Sequence, residues 1–167
     1  MNLEQAIQTA IAYEKKIRDL YVEASEQVKE LGIDNIFTAL AKDESYHASY
    51  LERQLDLLRK SDRITPETLK SNIPSWKEIE ESVDSLRQIL GTDHRGLVQQ
   101  LLNSALKAEL ETSSFYRKTI SQLDSSGQEL FSRFIEMENN HIDAVQYQLD
   151  YISKTGYWFG VKEFDME

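Results

Sequence analysis

Six ionisable side chains stand out in this 167-residue chain: Glu14, Glu44, His47, Glu109, Glu138 and His141. Each interrupts a stripe of apolar residues recurring every three or four positions, the spacing that puts side chains on one helix face. Glu44-Ser45-Tyr46-His47 and Glu138-Asn139-Asn140-His141 both set a carboxylate and an imidazole at i and i+3, so each pair can grip one metal ion. Glu14 and Glu109, on the two remaining stripes, can bridge or terminate. Burying an unpaired carboxylate is costly, and four at one level also repel one another. Two divalent or trivalent cations would supply the missing positive charge. The alternative is a pH-sensitive polar core without metal.

A single Glu-x-x-His carries little weight. The chain holds 18 glutamates, so any histidine has roughly a one-in-nine chance of such a partner. Only three histidines exist, however, and two of them have it. The third, His94, sits at a helix start and is expected to be exposed, with no part in the chemistry. Tyr21 and Tyr116 lie seven residues after Glu14 and Glu109. Helical side chains lean toward the N-terminus, so each phenol can reach back to hydrogen-bond and orient a carboxylate ligand. The plainer reading makes them large core aromatics with any convenient acceptor. Glu111, about 200° from Glu109, should be solvated.

The elements that must position these residues are four long helices. The first stripe runs Leu3, Ile7, Ala10, Glu14, Ile17, Tyr21, Ala24, Val28 and Leu31, opened by an Asn2–Gln5 capping box and closed by Gly32. The second follows Asp34, with Phe37, Leu40, Glu44, His47, Leu51, Leu55 and Leu58 inward. The third starts near Asp93 and carries Val98, Leu102, Ala105, Glu109, Thr112, Tyr116 and Leu123. The fourth has a Ser126–Glu129 capping box, then Phe131, Phe134, Glu138, His141, Val145 and Ile152. Short turns make each pair antiparallel. The 61–92 connection can cross the whole bundle, with Thr65-Pro66-Glu67 a short helix start. Ser75-Trp76-Lys77-Glu78 caps an extra amphipathic helix carrying Trp76, Ile79, Val83, Leu86 and Leu90. The organisation expected is one domain over 1–167: helix pair 3–60, crossover 61–92, helix pair 93–155, and an aromatic tail 156–167 covering a bundle end or a dimer seam.

The two pairs repeat each other. Ala10-Ile11-Ala12-Tyr13-Glu14 aligns with Ala105-Leu106-Lys107-Ala108-Glu109, and without a gap Leu20-Tyr21 then aligns with Phe115-Tyr116. An offset one residue shorter sets Phe37, Glu44 and His47 over Phe131, Glu138 and His141. A pseudo-two-fold bundle should build its centre twice.

Composition narrows the rest. A net charge of −10 disfavours nucleic acid and favours cations or a basic protein. With no cysteine, disulfides, Fe–S clusters and Cys-ligated zinc are excluded. No Gly-x-Ser-x-Gly elbow or Gly-rich phosphate loop occurs. Met1-Asn2-Leu3-Glu4-Gln5 is unlike a signal peptide and no apolar run approaches a membrane span, so a cytoplasmic protein is expected.

Taken together, the repeat, the two Glu-x-x-His motifs and the Glu-x6-Tyr units resemble the rubrerythrin branch of the ferritin-like superfamily, over roughly residues 3–155. The resemblance implies an all-α ferritin-like four-helix bundle holding two iron ions, alternatively manganese or zinc in one or both positions. It implies Glu14, Glu44, His47, Glu109, Glu138 and His141 as ligands, and reduction of hydrogen peroxide or oxidation of ferrous iron as the activity. Departures exist. Rubrerythrins proper end in a rubredoxin domain whose four cysteines hold iron; with no cysteine here an external electron-donor protein is expected, and Thr112 stands where rubrerythrins carry an additional glutamate. Four Glu and two His look equally like a bacterioferritin ferroxidase centre, although Ser45 replaces that family's haem-binding Met. The leading expectation is a di-iron peroxidase. Iron storage or transfer, and a non-catalytic metal-stabilised bundle, are the alternatives. The expected partners are peroxide or oxygen, the donor protein and a second copy in a homodimer, with neither nucleic acid nor membrane.

Overall fold

A computed structural model describes residues 1–75, 77–81 and 92–153. Four long helices dominate them: α1, Leu3–Val28; α2, Asn35–Ser61; α3, Thr92–Ile120; and α4, Ser125–Ser153. No strand occurs among the described residues, and the architecture is all-α, in keeping with a ferritin-like bundle. No described helix is long and apolar enough to cross a membrane.

Local sequence sets the helix ends. Asn2 accepts from the Gln5 backbone N–H while the Gln5 side chain accepts from the Asn2 N–H, the reciprocal box expected. Past α1 a 3₁₀ turn, Lys29–Leu31, ends at Gly32 with φ 69°, a left-handed conformation that glycine adopts without penalty. At α4 the expectation needs correction. The Ser126–Glu129 box does not form: Asp124 Oδ1 accepts from the Gly127 N–H at 2.8 Å, and Glu129 instead pairs with Arg133. Aspartate is a strong N-cap, and here it takes the role two residues earlier.

α1 packs along α2, α3 along α4, and α1 also against α3. Glu4 meets Arg59 and Met1 reaches Gln122 at one end, while the Arg95 guanidinium donates to the Ile152 carbonyl at the other. These contacts make α1 antiparallel to both α2 and α3.

The crossover is the second correction. Thr65-Pro66-Glu67 does not begin a helix; residues 63–75 run without regular structure back along α2. The α2 side chains supply the hydrogen bonds that a helix would have made. Gln54 both donates to the Thr65 carbonyl and accepts from its N–H, and the Tyr50 hydroxyl accepts from the Glu67 N–H at 2.7 Å. Lower down, Asp43 accepts from Ser71 and Asn72. A 27-residue helix is about 40 Å long, a span that roughly a dozen extended residues can cover. Ser75 and Glu78 make the predicted capping contacts and residues 77–81 are helical. Trp76, Val83, Leu86, Leu90 and the aromatic tail lie outside the described residues.

Two apolar clusters fill the bundle. One gathers Tyr21, Phe37, Leu40, Leu102 and Val145, and the other Ile7, Leu51, Tyr116, Phe131 and Phe134. A buried polar layer separates them.

Candidate metal centre

That layer is built from the four inner stripes. Glu14 of α1, Glu44 and His47 of α2, Glu109 of α3, and Glu138 and His141 of α4 all have 0% exposure. Ligand atoms of Glu14, Glu44, His47 and Glu138 lie within 4.8 Å of one another, and so do those of Glu44, Glu109, Glu138 and His141. Glu44 and Glu138 are therefore common to both sets of four and Glu14 and Glu109 belong to one each, while His47 and His141, one in each set, also form a third set with Glu44. The sequence offers Glu14 and Glu109 as bridging or terminal ligands; the geometry instead places each in one group and puts the two Glu-x-x-His glutamates in the shared positions.

Seven side-chain atoms in this layer are buried with no hydrogen-bond partner: both oxygens of Glu44 and Glu138, Glu109 Oε2, His47 Nε2 and His141 Nδ1. Buried polar atoms in folded proteins are otherwise nearly always paired. His141 Nδ1 and Glu44 Oε1 are 2.6 Å apart without hydrogen-bond alignment, as two ligand atoms converging on one ion would be. His47 Nδ1 lies 3.2 Å from Glu14 Oε2 and 3.3 Å from Glu44 Oε2. Carboxylates with imidazoles suit Fe(II), Mn(II), Co(II) or Zn(II). The donor set fits two such ions.

Without ions, protons take their place. Burial and the neighbouring Glu44 push Glu14 up to about 8. Burial, with Glu109 and Glu14 close by, raises Glu138 well above the carboxylate range. Burial opposes the charge on His47, but its hydrogen bond to Glu14 and the nearby Glu44 carboxylate outweigh that and lift it to about 9. Burial likewise opposes ionisation of Glu44, and the facing His141 more than compensates, holding Glu44 well below its ordinary value.

Both tyrosines donate to carboxylates of this layer, each across the bundle. The Tyr21 hydroxyl on α1 bonds Glu109 Oε1 on α3 at 2.5 Å, and the Tyr116 hydroxyl on α3 bonds Glu14 Oε1 on α1. Burial and the adjacent acids raise both phenols far above their ordinary value, so both remain donors. His94 is exposed, and Glu111, also exposed, pairs with Lys16. Thr112 turns its hydroxyl to the Ala108 carbonyl at 3.1 Å.

Sequence reasoning missed Asp43. It is fully buried, accepts from Ser71 Oγ at 2.7 Å and Asn72 N at 2.5 Å, and lies 3.4 Å from His141 Nε2. With Nδ1 of His141 facing the centre, Nε2–H donates to this carboxylate, fixing tautomer and ring orientation. The available signal was Met137, its counterpart in the repeat, which marks the position as buried.

A family model for rubrerythrin matches residues 1–89, more than half of the chain, and the chain belongs to that family. No match was found among curated proteins or among solved structures. The family match spans Glu14, Glu44 and His47. The remaining three acid and imidazole groups join them through the fold. Family and buried cluster together fit a di-iron protein of an oxidoreductase family.

Proposed function

We propose that the protein is a di-iron peroxidase that reduces hydrogen peroxide to water with electrons from an external donor. Glu44, Glu138, Glu14 and His47 would hold one ion, and Glu44, Glu138, Glu109 and His141 the other. The observation that carries this reading is the pair of four-residue groups sharing two carboxylates, whose oxygens are buried and otherwise unpartnered. Held by these residues, a pair of ferrous ions would supply one electron each for cleaving an O–O bond.

The chain's own residues prepare that chemistry. Glu44 and Glu138 can shift between shared and terminal binding as the charge on the centre changes. Tyr21 and Tyr116 anchor one oxygen each of Glu109 and Glu14, which limits the movement of those two acids. Asp43 steadies the His141 ring. The apolar clusters on either side keep bulk water away, which strengthens each of these interactions.

Mixing chemically reduced, iron-loaded protein with peroxide or with oxygen in a stopped-flow spectrometer tests the reading. Faster oxidation by peroxide supports it, and oxidation no faster than with oxygen removes it. Thr112 favours one second reading, a ferroxidase coupled to iron storage or transfer, because its hydroxyl is turned to the helix backbone and adds no further acid to the centre. That reading requires mineral to accumulate in a large hollow assembly, which size exclusion after aerobic iron loading would reveal.

A further inference from the structure

The centre is wrapped in protein, so electrons from outside need a route through it. One aromatic path leads from the centre to a surface recess. Tyr116, bonded to Glu14, has its ring centroid 5.5 Å from that of Phe115. Phe115 in turn stacks on Tyr13, with centroids 5.0 Å apart and planes 27° off parallel. Tyr13 and Phe115 are half-buried and line a groove of about 730 Å³ between α1 and α3. Leu106 and Leu110 extend its apolar lining, with Leu110 51% exposed, a large value for a leucine.

The groove is also the wrong sign for this molecule. The chain carries a net charge of −10, yet Lys107 and Lys118 border the groove, exposed and without an ion-pair partner among the described residues. Its one acid, Glu111, is paired with Lys16 at 3.5 Å. An acidic macromolecule would be repelled by most of the surface and attracted here.

The repeat shows that the bundle does not require these residues. Across the two aligned halves, Tyr13 corresponds to Ala108, Phe115 to Leu20, Lys107 to Ala12, Leu110 to Lys15 and Lys118 to Glu23. The two phenols that touch the centre, Tyr21 and Tyr116, are kept in both halves. Among the described residues, the Tyr116 side continues outward through Phe115 and Tyr13 to an apolar, basic recess.

Building on the peroxidase reading, we propose that this groove docks an acidic protein bearing a one-electron iron–sulfur cluster. Tyr13, Phe115 and Tyr116 form the packed medium through which its electrons tunnel. Each docking oxidises the carrier by one electron and reduces the centre by one. Two such events supply the two electrons that, with two protons, convert one hydrogen peroxide to two waters. Tyr46, half-buried and 6.2 Å from the His47 ring, is the rival exit.

The test uses an acidic [2Fe–2S] ferredoxin and the full-length, iron-loaded protein. Calorimetry should show binding that weakens with salt and falls about tenfold in the K107E/K118E double variant. At saturating reduced ferredoxin, Phe115→Leu should slow reduction of the centre about tenfold, while Tyr46→Leu leaves it unchanged. No binding, binding indifferent to K107E/K118E, or slowing in Tyr46→Leu in place of Phe115→Leu overturns the proposal. So does a homodimer that the double variant dissociates, since a second copy would then fill the groove. Failure here is separable from failure of the peroxidase reading, because the peroxide reaction of chemically reduced wild-type protein involves no carrier.

Discussion

Asp43 Oδ2 lies 3.4 Å from His141 Nε2, tying the crossover segment to the metal layer through one buried carboxylate. Ser71 and Asn72 fill its remaining acceptor positions. His47 has no equivalent: its Nε2 is buried without a partner. The two halves of the centre are thus unequal despite the repeat. Asp43→Asn removes the charge that steadies His141, and affinity for the ion on that side should fall about 10- to 100-fold. Competition with a chelator of known affinity should resolve one weakened and one unaffected site, and equal weakening of both would contradict the assignment.

Sharing of ligands predicts stoichiometry. Glu44→Ala or Glu138→Ala removes a carboxylate common to both groups and should leave little of either ion bound. Glu14→Ala or Glu109→Ala touches one group and should leave about one ion per chain. Elemental analysis after gel filtration measures this directly, and two ions retained in Glu138→Ala would refute the shared role.

Protons and metal compete for the same atoms. In metal-free protein Glu14 rises from 4.5 to about 8 and His47 from 6.5 to about 9. Both groups bind protons more tightly folded than unfolded, so their stabilising contribution is complete below the ordinary values and lost as pH climbs through the raised ones. The Tm of chelator-treated protein should therefore fall as pH climbs from about 4.5 to 9. Over the same range metal affinity should increase, with protons released on binding. Thermal melts with and without chelator, and calorimetry in buffers of different ionisation enthalpy, test both halves.

Each phenol anchors one acid. Tyr21→Phe strands Glu109 Oε1 and Tyr116→Phe strands Glu14 Oε1. Each substitution should cost about 1–3 kcal/mol in urea unfolding of the metal-free protein. A loss below about 0.5 kcal/mol would mean that water replaces the hydroxyl.

Two glycines give a check on packing. A Cβ at Gly127 would meet Leu123 Cβ at 2.9 Å and Leu3 Cδ1 at 3.0 Å, where α4 starts beside α1. Gly127→Ala should destabilise by about 1–3 kcal/mol. At Gly96, inside α3, nothing lies within 4 Å, and Gly96→Ala should stabilise by up to about 1 kcal/mol. Denaturant midpoints of the two variants should move in opposite directions.

Much of this was written in periodicity. Stripes of apolar residues at helical spacing dictate four amphipathic helices, and the acids and imidazoles on them must meet once those stripes face one another. The repeat places those groups at matching levels. Three matters needed the folded chain. Which glutamates are shared depends on side-chain direction across the bundle, and that is absent from spacing within a helix. The path of residues 63–75 was decided by Gln54, Tyr50 and Asp43, distant side chains that satisfy its backbone and override local helix signals. Asp43 itself reads as one more acid on a solvated face until the crossover lies over it. Local pattern determines which face is buried, whereas only tertiary packing determines which buried polar atoms find partners and which are left for an ion.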